Sequence, residues 1–357
     1  MLDARSSPAN KWDSAPLYSR NLVMTGQNEF RRLAVLDTSH VRTGLHYQLK
    51  NGRPPAMIGL AETGAIGLFM ELETLTETVE KLPKFANQLA KDFTVDENIL
   101  KEVLKEDWLP HIRVVRLPED LRELDSRAVK VRDLDSEDFP TAALASILSP
   151  CILLTGNSQH FYPLGVTDFD HGRKAIIAVG DGESNRIMLS TIETGTGLAI
   201  TTPVEVGKWL YKKSGYKGLL IASGLILAAL YFYRKQPQSK RETALYYLNQ
   251  TFQFTYHMWT QAEAMITNAE ARLEALSVPP PQQRSQLADV IRTLALAPDS
   301  MSAQAIHNTL AGQKRPKVVE IRKFLHDNKN GLFWEIRRGS FVVGRYYTIP
   351  DIGKELH

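Results

Sequence analysis

Residues 132–161, RDLDSEDFPTAALASILSPCILLTGNSQHF, constrain the fold more than any other part of the chain. Four acids, Asp133, Asp135, Glu137 and Asp138, crowd the start of an amphipathic helix that a proline helps to open. The run CILLT after it reads as a buried strand whose end opens into a polar loop. In a parallel α/β sheet, ligands sit in the crevice at the carboxyl ends of the strands, within reach of acids on the preceding helix. Hard cations such as Mg²⁺ or Mn²⁺ take oxygen ligands, so carboxylates gathered there make a candidate metal site.

The segments upstream supply the rest of such a sheet. LAVLD at 33–37 is a short apolar run ending in an acid, which suits a fully buried first strand with Asp37 at its carboxyl edge. An aspartate there could equally cap the next helix. After the Gly/Pro-rich connection KNGRPPAM comes a second apolar run, AIGLFM at 65–70. A helix is expected from about Glu73 to Phe93, with Leu75, Val79, Leu82, Phe85, Ala86 and Leu89 on one stripe. Glu77 lies off that stripe or at its edge and, taken alone, reads as a solvated acid. Residues 95–108 read as another amphipathic helix and HIRVVRL at 111–117 as a strand. Strands and helices therefore alternate through about residue 165, the signature of a parallel α/β sheet.

Length and charge bound the remaining possibilities. At 357 residues the chain has room for two or three domains. Its 43 Lys plus Arg against 40 Asp plus Glu give no global field that would argue for nucleic acid, so any such signal is local. The single cysteine, Cys151, excludes an intramolecular disulfide framework and reads as a small core hydrophobe. Residues 1–29 have no apolar core of a secretory signal and read as a flexible lead-in.

Four segments, LAVLDTSHV, TETVEKLPKFANQLAK, DSEDFPTAALASIL and CILLTGNSQHF, stand in the order and approximate spacing of a PIN-domain nuclease. The chain resembles that family over about residues 30–170. The resemblance implies a small parallel sheet that gathers three or four carboxylates around Mg²⁺ or Mn²⁺ to cut RNA, less often DNA. Position by position, Asp37 matches the strand-end acid, with Ser39 as the small hydroxyl beside it. Glu77 matches the helix glutamate and Asp138 the acid of the D-x-x-x-A-A pattern, with Asp135 as an auxiliary carboxylate. The departure is at Asn157: where the family ends this strand with Thr-x-Asp, the chain has Thr155-Gly156-Asn157. An amide can ligate through its carbonyl oxygen but brings no charge, so weaker metal affinity is expected. His160 follows closely and reads as a surface residue. The implied chemistry is phosphodiester hydrolysis, with Asp37 and Asp138 holding the ion and Glu77 completing the shell.

Beyond this unit the pattern changes. Residues 171–207 read as two or three short strands with Gly-rich turns, AVGDGES being the clearest hairpin signal. Gly218 to Tyr233 is uncharged, with Lys212, Lys213 and Lys217 on one flank, Arg234 and Lys235 on the other, and several flanking Trp and Tyr. It is short for the ~30 Å hydrocarbon core, but these flanks suit a membrane, so 214–235 is expected to be a transmembrane helix. Residues 240–278 read as a long helix. Residues 284–350 read as three short helices and a hairpin and resemble a winged helix-turn-helix. From residue 301 onward ten Lys/Arg face five Asp/Glu, and Lys314, Arg315, Lys317, Arg322 and Lys323 cluster near the third helix. In a nucleic-acid binder that helix enters the groove while Arg337 and Arg338 on the wing meet phosphate.

Together these readings describe an α/β, PIN-like sheet, a hydrophobic helix and an α-rich winged-helix-like C-terminal domain. The leading function is a membrane-tethered, metal-dependent endoribonuclease with its nuclease domain in the cytoplasm. The alternative is a catalytically weak or inactive PIN-fold scaffold acting as a nucleic-acid or protein binding or regulatory module, and a soluble cytoplasmic chain is the alternative location. DNA and a second copy of the chain remain open as partners. One membrane crossing would put the two flanking regions on opposite sides, which conflicts with nucleic-acid binding by both unless the segment is re-entrant or lies on the surface.

Overall fold

The computed structural model describes residues 30–197 and 260–346, apart from positions 92, 94, 167–169, 282–284, 298 and 311–314, together with positions 237 and 257. Four parallel strands, β1 (Arg32–Leu36), β2 (Ile66–Glu71), β3 (Ile112–Val115) and β4 (Ile152–Leu154), lie in the order β4-β1-β2-β3. The first strand shows why this sheet is buried on both faces. Leu33 and Val35 join a core shared with the helix after β3, whereas Ala34 and Leu36 point into a second core on the other face. Leu33, Val35 and Leu36 are no more than 1% exposed, and burying each such side chain stabilises by about 1.5–3 kcal/mol.

Nine helices of this unit are labelled in chain order: α1 (Thr38–Asn51), α2 (Ala56–Glu62), α3 (Leu72–Glu80), α4 (Leu82–Leu89), α5 (Glu97–Val103), α6 (Glu119–Arg122), α7 (Ser126–Leu134), α8 (Phe139–Leu148) and α9 (His171–Gly197). The helix expected over 73–93 is divided into α3 and α4 at Lys81. Pro83 sits in the first turn of α4, where its missing N–H is tolerated. The predicted stripe survives the break: Leu75, Leu82, Phe85, Ala86 and Leu89 are buried together.

The strands expected over 171–207 are not formed in the described part. His171–Gly197 is one helix of 27 residues. Its Ala175, Ala178 and Val179 recur at helical spacing and are buried against the core that contains β4. Gly172 lets the helix approach β4, since a Cβ there would meet Leu154 Cδ2 at 3.0 Å and the Leu153 carbonyl at 3.2 Å. The glycines that read as turn signals in AVGDGES lie inside this helix: a Cβ on Gly182 would make ordinary contact with Ala269 Cβ at 3.6 Å, and a Cβ on Gly180 would meet nothing within 4 Å.

Residues 260–275 are helical and return along α9, and Arg272 Nη1 lies 3.4 Å from Asp181 Oδ2. Helices Gln286–Leu296, Ala303–Thr309 and Val318–Asp327 follow, interleaved with β5 (Met301–Ser302) and closed by β6 (Phe333–Arg337) and β7 (Ser340–Val343). The three strands form an antiparallel sheet ordered β5-β7-β6. After it, β8 (Arg345–Tyr346) pairs antiparallel with β3 and becomes the fifth strand of the main sheet. This C-terminal unit shares its core with the first face of that sheet, Ala288, Ile291 and Phe341 packing with Leu33, Leu144 and Leu148. The buried Arg113 guanidinium donates to the Ala297 carbonyl at 3.0 Å, and the Val278 amide to the Cys151 carbonyl at 2.8 Å. Residues before and after the apolar segment 214–235 therefore belong to one packed body. That segment, the lead-in 1–29 and most of 240–259 lie outside the described residues. Among the described residues no helix is long and apolar enough to cross a membrane.

Candidate metal centre

Asp37 follows β1 directly, so the strand delivers it to the carboxyl edge of the sheet. It occupies the N-cap position of α1, but its side chain makes no capping bond. Its Oδ2 accepts instead from the hydroxyls of Ser39 and of Thr155, the latter at 2.8 Å. The adjacent strand ends β1 and β4 thus fix the carboxylate between them. Asp37 is only 4% exposed.

Glu77 is placed by a run of buried hydroxyls between α1, α3 and α8. Thr38 Oγ1 donates to Glu77 Oε2 at 3.0 Å, Thr78 Oγ1 to Thr38 Oγ1 at 3.2 Å, and Thr74 and Thr141 share a bond of 2.9 Å. The other Glu77 oxygen accepts from Lys81, whose Nζ also lies 2.9 Å from Glu137 Oε2. Partial burial disfavours the Lys81 charge, but these two carboxylates outweigh it and hold the ammonium above its ordinary range.

Asp135 ends α7 and Asp138 begins α8, so the short connection brings both to one spot. Their partner is His160, in the loop after β4: its Nδ1 lies 2.6 Å from Asp138 Oδ2 and 3.1 Å from Asp135 Oδ2. One ligand atom from each of Asp135, Asp138 and His160 lies within 4.8 Å of the others. The Asn157 amide stands 2.9 Å from the same ring nitrogen, and its backbone N–H donates to Thr155 Oγ1 at 2.9 Å. Burial and then the negative charge of Asp37 push the Asp138 carboxyl up to about 7, with His160 pulling the other way.

Asp37, Ser39, Glu77, Asp135, Asp138 and Asn157 all line one cleft of about 480 Å³. Glu137 adds a fifth carboxylate, and Arg42, Lys81 and Lys84 are its three cations. Among the described residues the cleft wall thus holds two more carboxyl groups than cations. Burial raises the Asp138 carboxyl first and the Asp37 charge adds to it, and a divalent cation bound between the two would relieve that repulsion. The donor set, mostly carboxylate oxygen with one amide and one imidazole, fits Mg²⁺ or Mn²⁺.

The structure brings Asp37, Glu77, Asp135, Glu137 and Asp138 to this cleft but not Asp133, and the tightest group among the described residues is Asp135, Asp138 and His160 rather than Asp37, Glu77 and Asp138. His160, expected to be a surface residue, is a partner of two acids. Its only sequence signal is its place in the loop after the strand, three residues beyond Asn157. Lys81 was equally hidden: it reads as one turn of helix after Glu77, and nothing local announces Glu137 as a second partner. The basic residues Arg315, Lys317, Arg322, Lys323, Arg337 and Arg338 are exposed on the C-terminal unit and do not line the cleft. Lys314 lies outside the described residues.

Fold and site together define an α/β protein with a four-stranded parallel sheet flanked by helices and an acidic cleft at its carboxyl edge. Comparison with known proteins returns no family model, no curated protein and no solved structure that matches the chain.

Proposed function

We propose that the chain is a metal-dependent nuclease that hydrolyses RNA, in keeping with its resemblance to PIN-domain nucleases. The observation that carries this reading is the composition of the cleft, an acidic floor (Asp37, Glu77, Asp135, Asp138) beside the cations Arg42, Lys81 and Lys84. Acids alone would repel a phosphodiester. Cations at the same cleft attract it, and a bound ion joins the two. Asp138, Asp37 and Asp135 would hold Mg²⁺ or Mn²⁺, with Glu77 and the Asn157 amide beside them. When bound, such an ion supplies Lewis acidity toward water and toward the scissile phosphate. Ser39 and Thr155 orient Asp37, Thr38 orients Glu77, and His160 holds Asp138. Arg42 and Lys84 offer charge to the flanking phosphates.

The C-terminal unit has the helix and strand order of a winged helix, and its exposed Arg315, Lys317, Arg322, Lys323, Arg337 and Arg338 provide a basic face for the same nucleic acid. Because this unit shares a core with the nuclease-like sheet, both lie on one side of any membrane. The segment 214–235, expected from its sequence to be a membrane tether, lies outside the described residues, and on this reading the cleft faces the cytoplasm where RNA is. The test is incubation of purified protein with unstructured RNA, structured RNA and single-stranded DNA, with and without Mn²⁺. Metal-dependent cleavage of RNA is expected. Tight nucleic-acid binding with no cleavage of any substrate would favour a scaffold, a role suited to an amide at position 157.

A further inference from the structure

A second cleft, of about 580 Å³, lies at the opposite end of β1 from Asp37. Five separate stretches build it: Phe30, Arg31 and Arg32 at the start of β1, Ala65 just before β2, α9, the helical residues 260–275, and helix Gln286–Leu296. Its wall carries four guanidiniums, Arg31, Arg32, Arg186 and Arg292, against two carboxylates, Glu183 and Glu270. The pairs Arg31 with Glu183, and Arg32 and Arg186 with Glu270, use both acids, and Arg292 Nη1 donates to the Pro150 carbonyl at 2.8 Å, so among the described residues the lining holds two more guanidiniums than carboxylates. The buried Nε–H of Arg186 has no acceptor, the nearest carboxylate oxygen being Glu183 Oε1 at 3.9 Å. A buried N–H donor without a partner is unfavourable by roughly 1–3 kcal/mol, which an acceptor from a ligand would recover. The rest of the wall is apolar, with Phe30, Val179, Leu273 and Leu296.

We infer that this cleft is a binding site for an organic phosphate of mononucleotide size. The volume falls in the range of about 300–1,000 Å³ usual for small-molecule sites. Phosphate oxygens match planar guanidiniums through paired hydrogen bonds, and the apolar wall suits a sugar and base better than free phosphate. The inference stands independently of the metal centre, which shares no residue with this cleft.

Isothermal titration of the full-length chain with AMP, ADP, inorganic phosphate and adenosine tests it. Saturable binding of AMP or ADP is expected, with phosphate and adenosine each at least tenfold weaker. Arg186→Gln is expected to weaken nucleotide binding at least tenfold. Gly182→Leu serves as a second variant, because position 182 lines the cleft and tolerates a Cβ in ordinary contact with Ala269, so a larger side chain there takes up cleft space without removing a charged group. It is expected to block binding while raising helix propensity. Asp138→Asn is expected to leave nucleotide binding unchanged. The inference is overturned if none of the four compounds binds, or if binding survives both Arg186→Gln and Gly182→Leu, or if it is lost in Asp138→Asn.

Discussion

His160 Nδ1 lies 2.6 Å from Asp138 Oδ2 and 3.1 Å from Asp135 Oδ2, so one edge of a single imidazole spans two carboxylates from different helices. Groups that hold a ligand in place commonly contribute about 10–100-fold to metal affinity. His160→Ala is therefore expected to weaken Mn²⁺ binding by about tenfold while leaving the fold intact. Water-proton relaxation during a Mn²⁺ titration reads the first effect, and far-ultraviolet circular dichroism the second.

Lys81 bridges Glu77 and Glu137, which makes it an internal counter-ion competing with any metal for the same acids. Its side chain is 37% exposed, so the contribution of its ion pairs to stability is no more than about 1 kcal/mol. Lys81→Met is expected to lower the melting temperature of the metal-free protein by a few degrees. The same change is expected to tighten Mn²⁺ binding several-fold. Unchanged affinity would place Lys81 outside the metal's competition.

Glu71, the last residue of β2, is fully buried beneath the start of α3. Burial pushes its carboxyl up to about 7 even though Arg122 lies 3.0 Å away. The folded state thus binds a proton more tightly than the unfolded chain, whose glutamate titrates near ~4.3. Between those two values the folded protein holds more protons, so stability falls as pH rises from about 4.5 to about 7. Asp138 contributes a slope of the same sign in the same window. Urea denaturation across this range is expected to show Glu71→Gln with a shallower pH dependence than wild type, the residual slope coming from Asp138. A slope as steep as that of wild type would show that Glu71 remains ionised in the fold.

The exposed basic residues of the C-terminal unit are expected to meet phosphates. Each phosphate contact adds about 0.7–0.9 to the slope of log affinity against log salt. The double substitution Arg322→Ala, Lys323→Ala is expected to reduce that slope by about one to two and to weaken binding uniformly across sequences. Fluorescence anisotropy with a labelled single-stranded RNA at several salt concentrations measures both.

Much of the sheet was legible because its strands are apolar on both faces, and LAVL, IGLFM and CILL leave no alternative to burial. The carboxylates were legible only as strand-end and helix-start acids, and their convergence needed the resemblance to a family to suggest it. The long helix α9 was hidden by its own glycines: Gly172 allows close approach to β4, Gly180 and Gly182 sit inside the helix, and in a linear reading such glycines look the same as a turn. His160 and Lys81 escaped notice because each acts through a partner distant in sequence, Asp138 and Glu137 respectively. The joining of the C-terminal unit to the main sheet rests on the two-residue strand β8 and on a core spread over many short contacts, neither of which has a local sequence mark.

The central claim is that acids from the end of β1 and from the connection between α7 and α8 share one cation. Mn²⁺ titration by calorimetry on wild type, Asp37→Asn, Asp138→Asn and Asn157→Asp tests it most directly. The account predicts one saturable site in wild type, at least tenfold weaker in either aspartate variant and several-fold tighter in Asn157→Asp. Equal affinity in all four proteins, or no saturable binding in wild type, would contradict it.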